Sequence, residues 1–233
     1  MFNLAPGDRA LVVATHPDDE SLGLAGTIAK LTGHGVIVDV LAVALTSGPM
    51  HGGHSDAAVR TREFTDACDA LGVRARTIAW TDKPHAANPG AHLPDLVRLI
   101  EAGPTASLAA TRPAVLFLPA AGAHHQDHQA VHTAALAAAR PAPACRRHIP
   151  WSVVGYDGPE DRAYLAAHAH RPLIVDTSSQ WPAKRKALEC YATQLRPAPH
   201  PRSLDKIRAQ DEAAGAAIGA DLAERFALYR MAA

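Results

Sequence analysis

The residues His16-Pro17-Asp18-Asp19-Glu20 set one imidazole and three carboxyl groups side by side. Adjacent acids repel one another unless a cation, a helix N-terminus or solvent absorbs their charge. A metal ion accounts most simply for such a cluster. His16 and Asp19 are three apart, so a turn into a helix can bring both side chains to one side. Asp18, between them, then points elsewhere. One His and one carboxylate are thus available to a metal, and a second carboxylate is available to the water on it. A second polar cluster, His124-His125-Gln126-Asp127-His128, is followed one turn later by His132. One His from it completes a His₂Asp set. Three protein ligands and an open, water-filled position form the pattern of a catalytic zinc. Water in that position acquires a pKa of roughly 7. Asp18 is the candidate to take its proton. A further His is the candidate to stabilise the oxyanion or protonate the leaving group.

Both clusters follow buried strands. Ala10–Ala14 is a continuous apolar run, and a helix begins near Ser21. Further strands are expected at Val36–Val43, Arg76–Trp80 and Ala114–Leu118, with helices over Ala57–Leu71 and Leu93–Ala110, the latter broken at Gly103-Pro104. The His124–His128 cluster opens a helix through Ala139. Later, Trp151–Tyr156 and Leu173–Val175 read as strands, and Trp181–Gln194 and Leu204–Tyr229 as helices. Alternating β and α elements imply a single α/β domain over residues 1–233, Rossmann-like, with a mostly parallel sheet covered by helices on both faces. In such sheets ligands bind at the carboxyl ends of strands. The first turn lacks G-x-G-x-x-G, so the dinucleotide fingerprint is absent.

Composition narrows the partners. The 233 residues carry 23 basic and 23 acidic side chains, giving no bulk attraction for nucleic acid or an anionic membrane surface. The longest apolar stretch, Val36–Leu45, contains Asp39 and is too short to span a bilayer. No signal peptide is visible at the start. Cys68, Cys145 and Cys190 are far apart and odd in number, so no disulfide framework is expected and a reducing cytoplasm is the expected location. Homo-oligomer formation is left open.

Ala14-Thr15-His16-Pro17-Asp18-Asp19-Glu20 resembles the A-H-P-D-D-E signature of the PIG-L/LmbE-like zinc-dependent N-deacetylases. His125-Gln126-Asp127-His128 with Ala130-Val131-His132 resembles that family's H-P-D-H motif before a helix, with Gln126 where the family has Pro. Thr46-Ser47-Gly48 resembles its T-x-G turn. Arg60-Thr61-Arg62-Glu63 with Leu71-Gly72 resembles its R-x-x-E helix. Lys186-Ala187-Leu188 with Tyr191-Ala192-Thr193-Gln194 resembles its late K-x-x-A…Y-x-S/T-Q segment. The likeness runs in order up to residue 195; residues 196–233 add nothing to it.

The resemblance implies His16, Asp19 and His128 as ligands of zinc, with ferrous iron an alternative. It implies Asp18 as general base, His125 as the cationic acid or oxyanion stabiliser, and Asp127 as the residue that orients His125 and raises its pKa. It also implies a small-molecule substrate, an N-acetylglucosamine conjugate. Arg60 or Arg62 has two readings: contact with substrate hydroxyl or phosphate groups, with Arg60 the candidate, or a salt bridge with Glu63 or Asp66. Glu20 reads as a structural carboxylate, and His132 as support behind a ligand or as packing. Three functions compete: removal of a small acyl group from an amino sugar, cleavage of a larger conjugate amide, and non-catalytic sugar or nucleotide binding.

Overall fold

In a computed structural model, residues 1–50, 53–142, 147–161 and 172–232 are described, so His51 and Cys145 lie outside the described residues. The chain begins with β1 (Arg9–Ala14), whose alternate side chains enter two different cores. Ala10, Val12 and Ala14 face the helices α1 (Asp19–Gly33), α2 (Ala57–Ala70) and α7 (Trp181–Cys190). Leu11 and Val13 face α4 (Leu93–Ala102) and α6 (Gln126–Ala138). The period-2 geometry of a strand thus explains why a wholly apolar segment is required here: both faces are covered.

Beside β1 lie β2 (Ile37–Leu45) and β6 (Val115–Pro119), both parallel to it. A hairpin of β3 (Gly48–Met50) and β4 (Gly53–Ser55) follows β2. Then come β5 (Ala75–Thr81), the short helices α3 (Pro84–Ala87) and α5 (Leu108–Thr111), β7 (Ser152–Tyr156), β8 (Pro172–Asp176), α8 (Leu204–Ala216) and β9 (Ala223–Met231). The described residues form a seven-stranded sheet in the order β5-β2-β1-β6-β7-β9-β8. From β1 the chain runs outward through β2 and β5, then returns to β6 on the other side. The switch point therefore falls between β1 and β6, where α/β sheets open a crevice at their carboxyl ends.

The expected helix Leu204–Tyr229 ends at Ala216, and Ala223–Met231 is a strand, antiparallel to both β7 and β8. Gly219 adopts a left-handed φ of 72°, which ends the helical run. Ala, Glu and Arg favour helix locally, but pairing on both edges overrides that preference. β9 also carries a buried acid, Glu224. Its carboxylate accepts the Gly26 and Thr27 N–H groups at 2.9 and 2.7 Å. These donors are free because α1 kinks at Leu24, where φ and ψ are −152° and 23°. Lys184 Nζ lies 2.9 Å from Glu224 Oε1 and 2.6 Å from Asp211 Oδ2, so one buried ammonium is shared by two buried carboxylates. Gly23 allows α1 this close to the sheet, since a Cβ there would sit 2.4 Å from the Tyr156 ring.

Candidate metal centre

The turn after β1 and the start of α6 meet in the crevice at the switch point. His16 and Asp19 come from the first, His125, Asp127 and His128 from the second. One nitrogen of His16, one of His128 and one oxygen of Asp19 all lie within 4.8 Å of one another. Asp19 Oδ2 is the shared centre: it is 4.0 Å from His16 Nδ1 and 3.4 Å from His128 Nε2, and accepts the His16 N–H at 2.8 Å. Burial works against its charge, but the two imidazoles beside it hold its pKa below the usual value.

Each histidine has a carboxylate behind it. His16 Nε2 lies 3.3 Å from Asp127 Oδ2. His128 Nδ1 lies 3.6 Å from Asp161 Oδ2. With a proton held on those outer nitrogens, the inner nitrogens, which face Asp19, would be the atoms that bind a metal, the arrangement that metal-ligating histidines require. Burial opposes charge on His128, yet Asp19 and Asp161 together push its pKa to about 9. The site thus attracts positive charge, and its donor set of two imidazoles and a carboxylate suits a divalent transition metal.

Asp18 sits outside this trio. Its backbone adopts φ 136° and ψ −25°, a costly conformation for a residue with a side chain. Three groups hold it there. Glu20 Oε2 accepts its N–H at 3.2 Å. The Arg60 guanidinium binds the Pro17 carbonyl and approaches Asp18 Oδ2 at 3.4 Å. Arg202 Nη1 meets the same oxygen at 3.2 Å. Burial raises the Asp18 pKa, and the two guanidinium groups only partly offset it. Glu20 is buried beneath, accepting the Ser21 and Tyr191 hydroxyls, each at 2.7 Å. Desolvation pushes its pKa to about 7. Glu63, for its part, accepts the Thr193 N–H and hydroxyl at 2.8 and 2.7 Å. The two motifs Arg60…Glu63 and Tyr191…Gln194 are therefore joined in space. Arg60 pairs with Asp18, not with Glu63 or Asp66 as the salt-bridge reading had it, and it also lines the cleft.

His125 departs from expectation. Its pKa is lowered, first by burial and then by the neighbouring His16, against a smaller opposing effect of Asp127. The Asp127 carboxylate is 3.9 Å from His125 Nδ1, too far for a hydrogen bond, and lies against His16 instead. The Asp127 backbone N–H donates to His125 Nδ1 at 3.2 Å, with His125 acting as N-cap of α6. That nitrogen must be an acceptor, so the imidazole is neutral with its hydrogen on Nε2. His132 Nδ1 is 2.8 Å from the Pro119 carbonyl.

Two residues escaped the sequence reading. Asp161 follows β7 in the segment Asp157-Gly158-Pro159-Glu160-Asp161 and lies 2.6 Å from His124 Nδ1 as well as beside His128. An acidic turn after a buried strand is the same signal that marks Asp18 and Asp19, and it could have been found. Arg202, in a Pro-rich loop, carries no such signal. Both line a cavity of about 300 Å³ with His16, Asp18, His125 and Met50.

The PIG-L family model, described as GlcNAc-PI de-N-acetylase, matches residues 11–139, more than half of the chain. The 1D-myo-inositol 2-acetamido-2-deoxy-alpha-D-glucopyranoside deacetylase of Mycobacterium sp. (strain JLS) is 31% identical over 244 residues, spanning 87% of this chain and 79% of that protein. Diacetylchitobiose deacetylase of Thermococcus kodakarensis is 27% identical over 199 residues, 80% of this chain and 70% of that one. The fold is shared with the conserved protein TT1542 from Thermus thermophilus, with a TM-score of 0.73 at 23% identity over 96% of each chain. By the matched model and by its curated relatives, the chain belongs to the PIG-L family of de-N-acetylases.

Proposed function

We propose that this protein hydrolyses the acetamide of an N-acetylated amino-sugar conjugate, releasing acetate and the free amine. The convergence of His16, Asp19 and His128 within 4.8 Å, with Asp18 beside them in the same cleft, carries this reading. These three residues would hold a divalent metal, zinc or ferrous iron. When bound there, it supplies Lewis-acid polarisation of the amide carbonyl and a lowered pKa for water.

The chain's own residues do the rest. Arg60 and Arg202 both contact Oδ2 of Asp18, which leaves Oδ1 to take the proton of the attacking water. A carboxylate whose pKa is raised by burial is a better base near neutral pH. His125, neutral and protonated at Nε2, donates a hydrogen bond to the oxygen that gains charge as water adds to the carbonyl carbon. When the C–N bond breaks, the amine nitrogen needs a proton, and Asp18 holds the one it took from water. Asp127 and Asp161 fix the ligand imidazoles. The cavity lies near the lower end of small-molecule sites, roughly 300–1,000 Å³, which favours one sugar ring and its acetyl group over a larger amide held entirely inside. Among the described residues no helix is long and apolar enough to cross a membrane. With Cys68 and Cys190 as free thiols, we place the enzyme in the cytoplasm.

The test is acetate release by the zinc-loaded protein across a panel of N-acetylglucosamine conjugates, with Asp18→Asn as control. Release abolished by Asp18→Asn supports the reading. A metal-loaded protein that releases no acetate from any conjugate overturns it in favour of a binding role.

A further inference from the structure

We propose a second divalent-cation site, at the surface, formed by His85, His92 and Asp95. His85 lies in α3, His92 ends the single 3₁₀ turn Pro89–His92, and Asp95 is in the first turn of α4. His92 and Asp95 are three apart at the start of a helix, so their side chains share a face. A nitrogen of each imidazole and a carboxylate oxygen lie within 4.8 Å of one another. The rings are stacked, with centroids 3.9 Å apart and an angle of 29°. His85 Nε2 lies 3.5 Å from Asp95 Oδ2. Ligands around a tetrahedral ion with ~2.0–2.1 Å bonds sit about 3.4 Å apart. The three donors therefore need only side-chain rotation to close on an ion, and all three side chains are part-exposed.

The backbone that carries them is stiff. Pro84, Pro89 and Pro94 fix φ at three points within this short span. Asn88 accepts the Ala91 N–H with its side chain at 3.2 Å, and Trp80 stands 5.1 Å behind His85. Little ordering would be needed on binding. Two imidazoles and one carboxylate suit zinc, nickel or copper rather than magnesium or calcium. None of the three residues lines the catalytic cleft. The site is nevertheless linked to it: a Cβ at Gly90, in the 3₁₀ turn, would lie 3.7 Å from Ala130 of α6, two residues beyond His128. A cation here would brace the outer side of the helix that supplies a catalytic ligand.

Arg98 is the built-in competitor. Its guanidinium pairs with Asp95 Oδ1, leaving Oδ2 toward His85. A positive charge there weakens cation binding. This gives a test that strengthens as well as removes the site. Zinc uptake is measured on the full chain by equilibrium dialysis and elemental analysis, with Co²⁺ absorption as a coordination signature. The His85→Ala/His92→Ala double variant should lose one ion per chain while retaining the other. Arg98→Ala should bind that ion several-fold more tightly, and it keeps every ligand, so it reads the site even if the double variant folds poorly. His16→Ala should lose the other ion and leave this one. A folded double variant that takes up as much zinc as the wild type overturns the proposal, as does an Arg98→Ala protein with no change in affinity. None of these readouts depends on the substrate.

Discussion

Among the described residues two His₂Asp groups come together, and they differ in what lies behind the ligands. At the switch point, His16 rests on Asp127 and His128 on Asp161, Asp19 is almost fully buried, and α1 and α6 meet at the carboxyl ends of β1 and β6. At the surface, His85 and His92 stack on each other, and the single carboxylate is shared with Arg98. Ligand identity is the same in both. Only the first has carboxylates that fix each imidazole, a buried base next to the trio and a cavity for a substrate. Donor type decides whether an ion can bind; the surrounding groups decide whether it can do chemistry.

The contrast is broken most severely by removing a buried ligand. His128→Ala should lose the buried ion and turnover, keeping at most the surface ion; a variant that holds as much zinc as the wild type would reassign the ligand to His124 or His132. Asp18→Asn comes next. It keeps the shape, and its metal content should match wild type while kcat falls by ~10²–10⁴-fold. Loss of metal from Asp18→Asn would instead make Asp18 a ligand.

The buried site carries a pH effect on stability. Glu20 has a folded pKa of about 7 against an unfolded 4.5. The folded state then binds a proton that the unfolded state has released, so stability is fully present below the unfolded value and falls as pH rises toward 7. The loss is on the order of 3 kcal/mol. Denaturant melts of metal-free protein between pH 4.5 and 7.5 should show this slope, and Glu20→Gln should flatten it. An unchanged slope in Glu20→Gln would move the effect to another group.

Smaller still is the effect of a supporting carboxylate. Asp161→Asn should weaken zinc affinity by roughly 10–100-fold and lower kcat only as far as occupancy falls; excess zinc should restore the rate. The smallest effect should come from the surface group. His85→Ala should leave kcat for acetate release unchanged when the buried site is loaded, and a large fall would show that the two sites are coupled through α6.

The chemistry-bearing turns were legible because each is local: an apolar run, a polar cluster, then a helix. The sheet's parallel part followed from the alternation of those runs. β9 was not legible, since Glu224, Phe226 and Leu228 read equally well on a helix, and the pairing that decides the matter comes from β7 and β8, strands that lie far earlier in the chain. The pKa of His125 shifts opposite to the sequence expectation for a related reason. Sequence proximity to Asp127 suggested a carboxylate contact, but entry into α6 turns that carboxylate toward His16 and offers His125 the backbone N–H instead.

What the sequence determined by itself was which groups exist and in which turns they stand: His16, Asp18 and Asp19 after one strand, His125 and His128 after another, and a fold that brings such turns to one edge of a sheet. What only the tertiary structure decided was the partner of each group. Asp161 reaches His128, and Arg202 reaches Asp18 across 184 residues of chain. Partner choice depends on distances set by the packing of helices on both faces of the sheet, and spacing along the chain carries no information about them beyond a few residues.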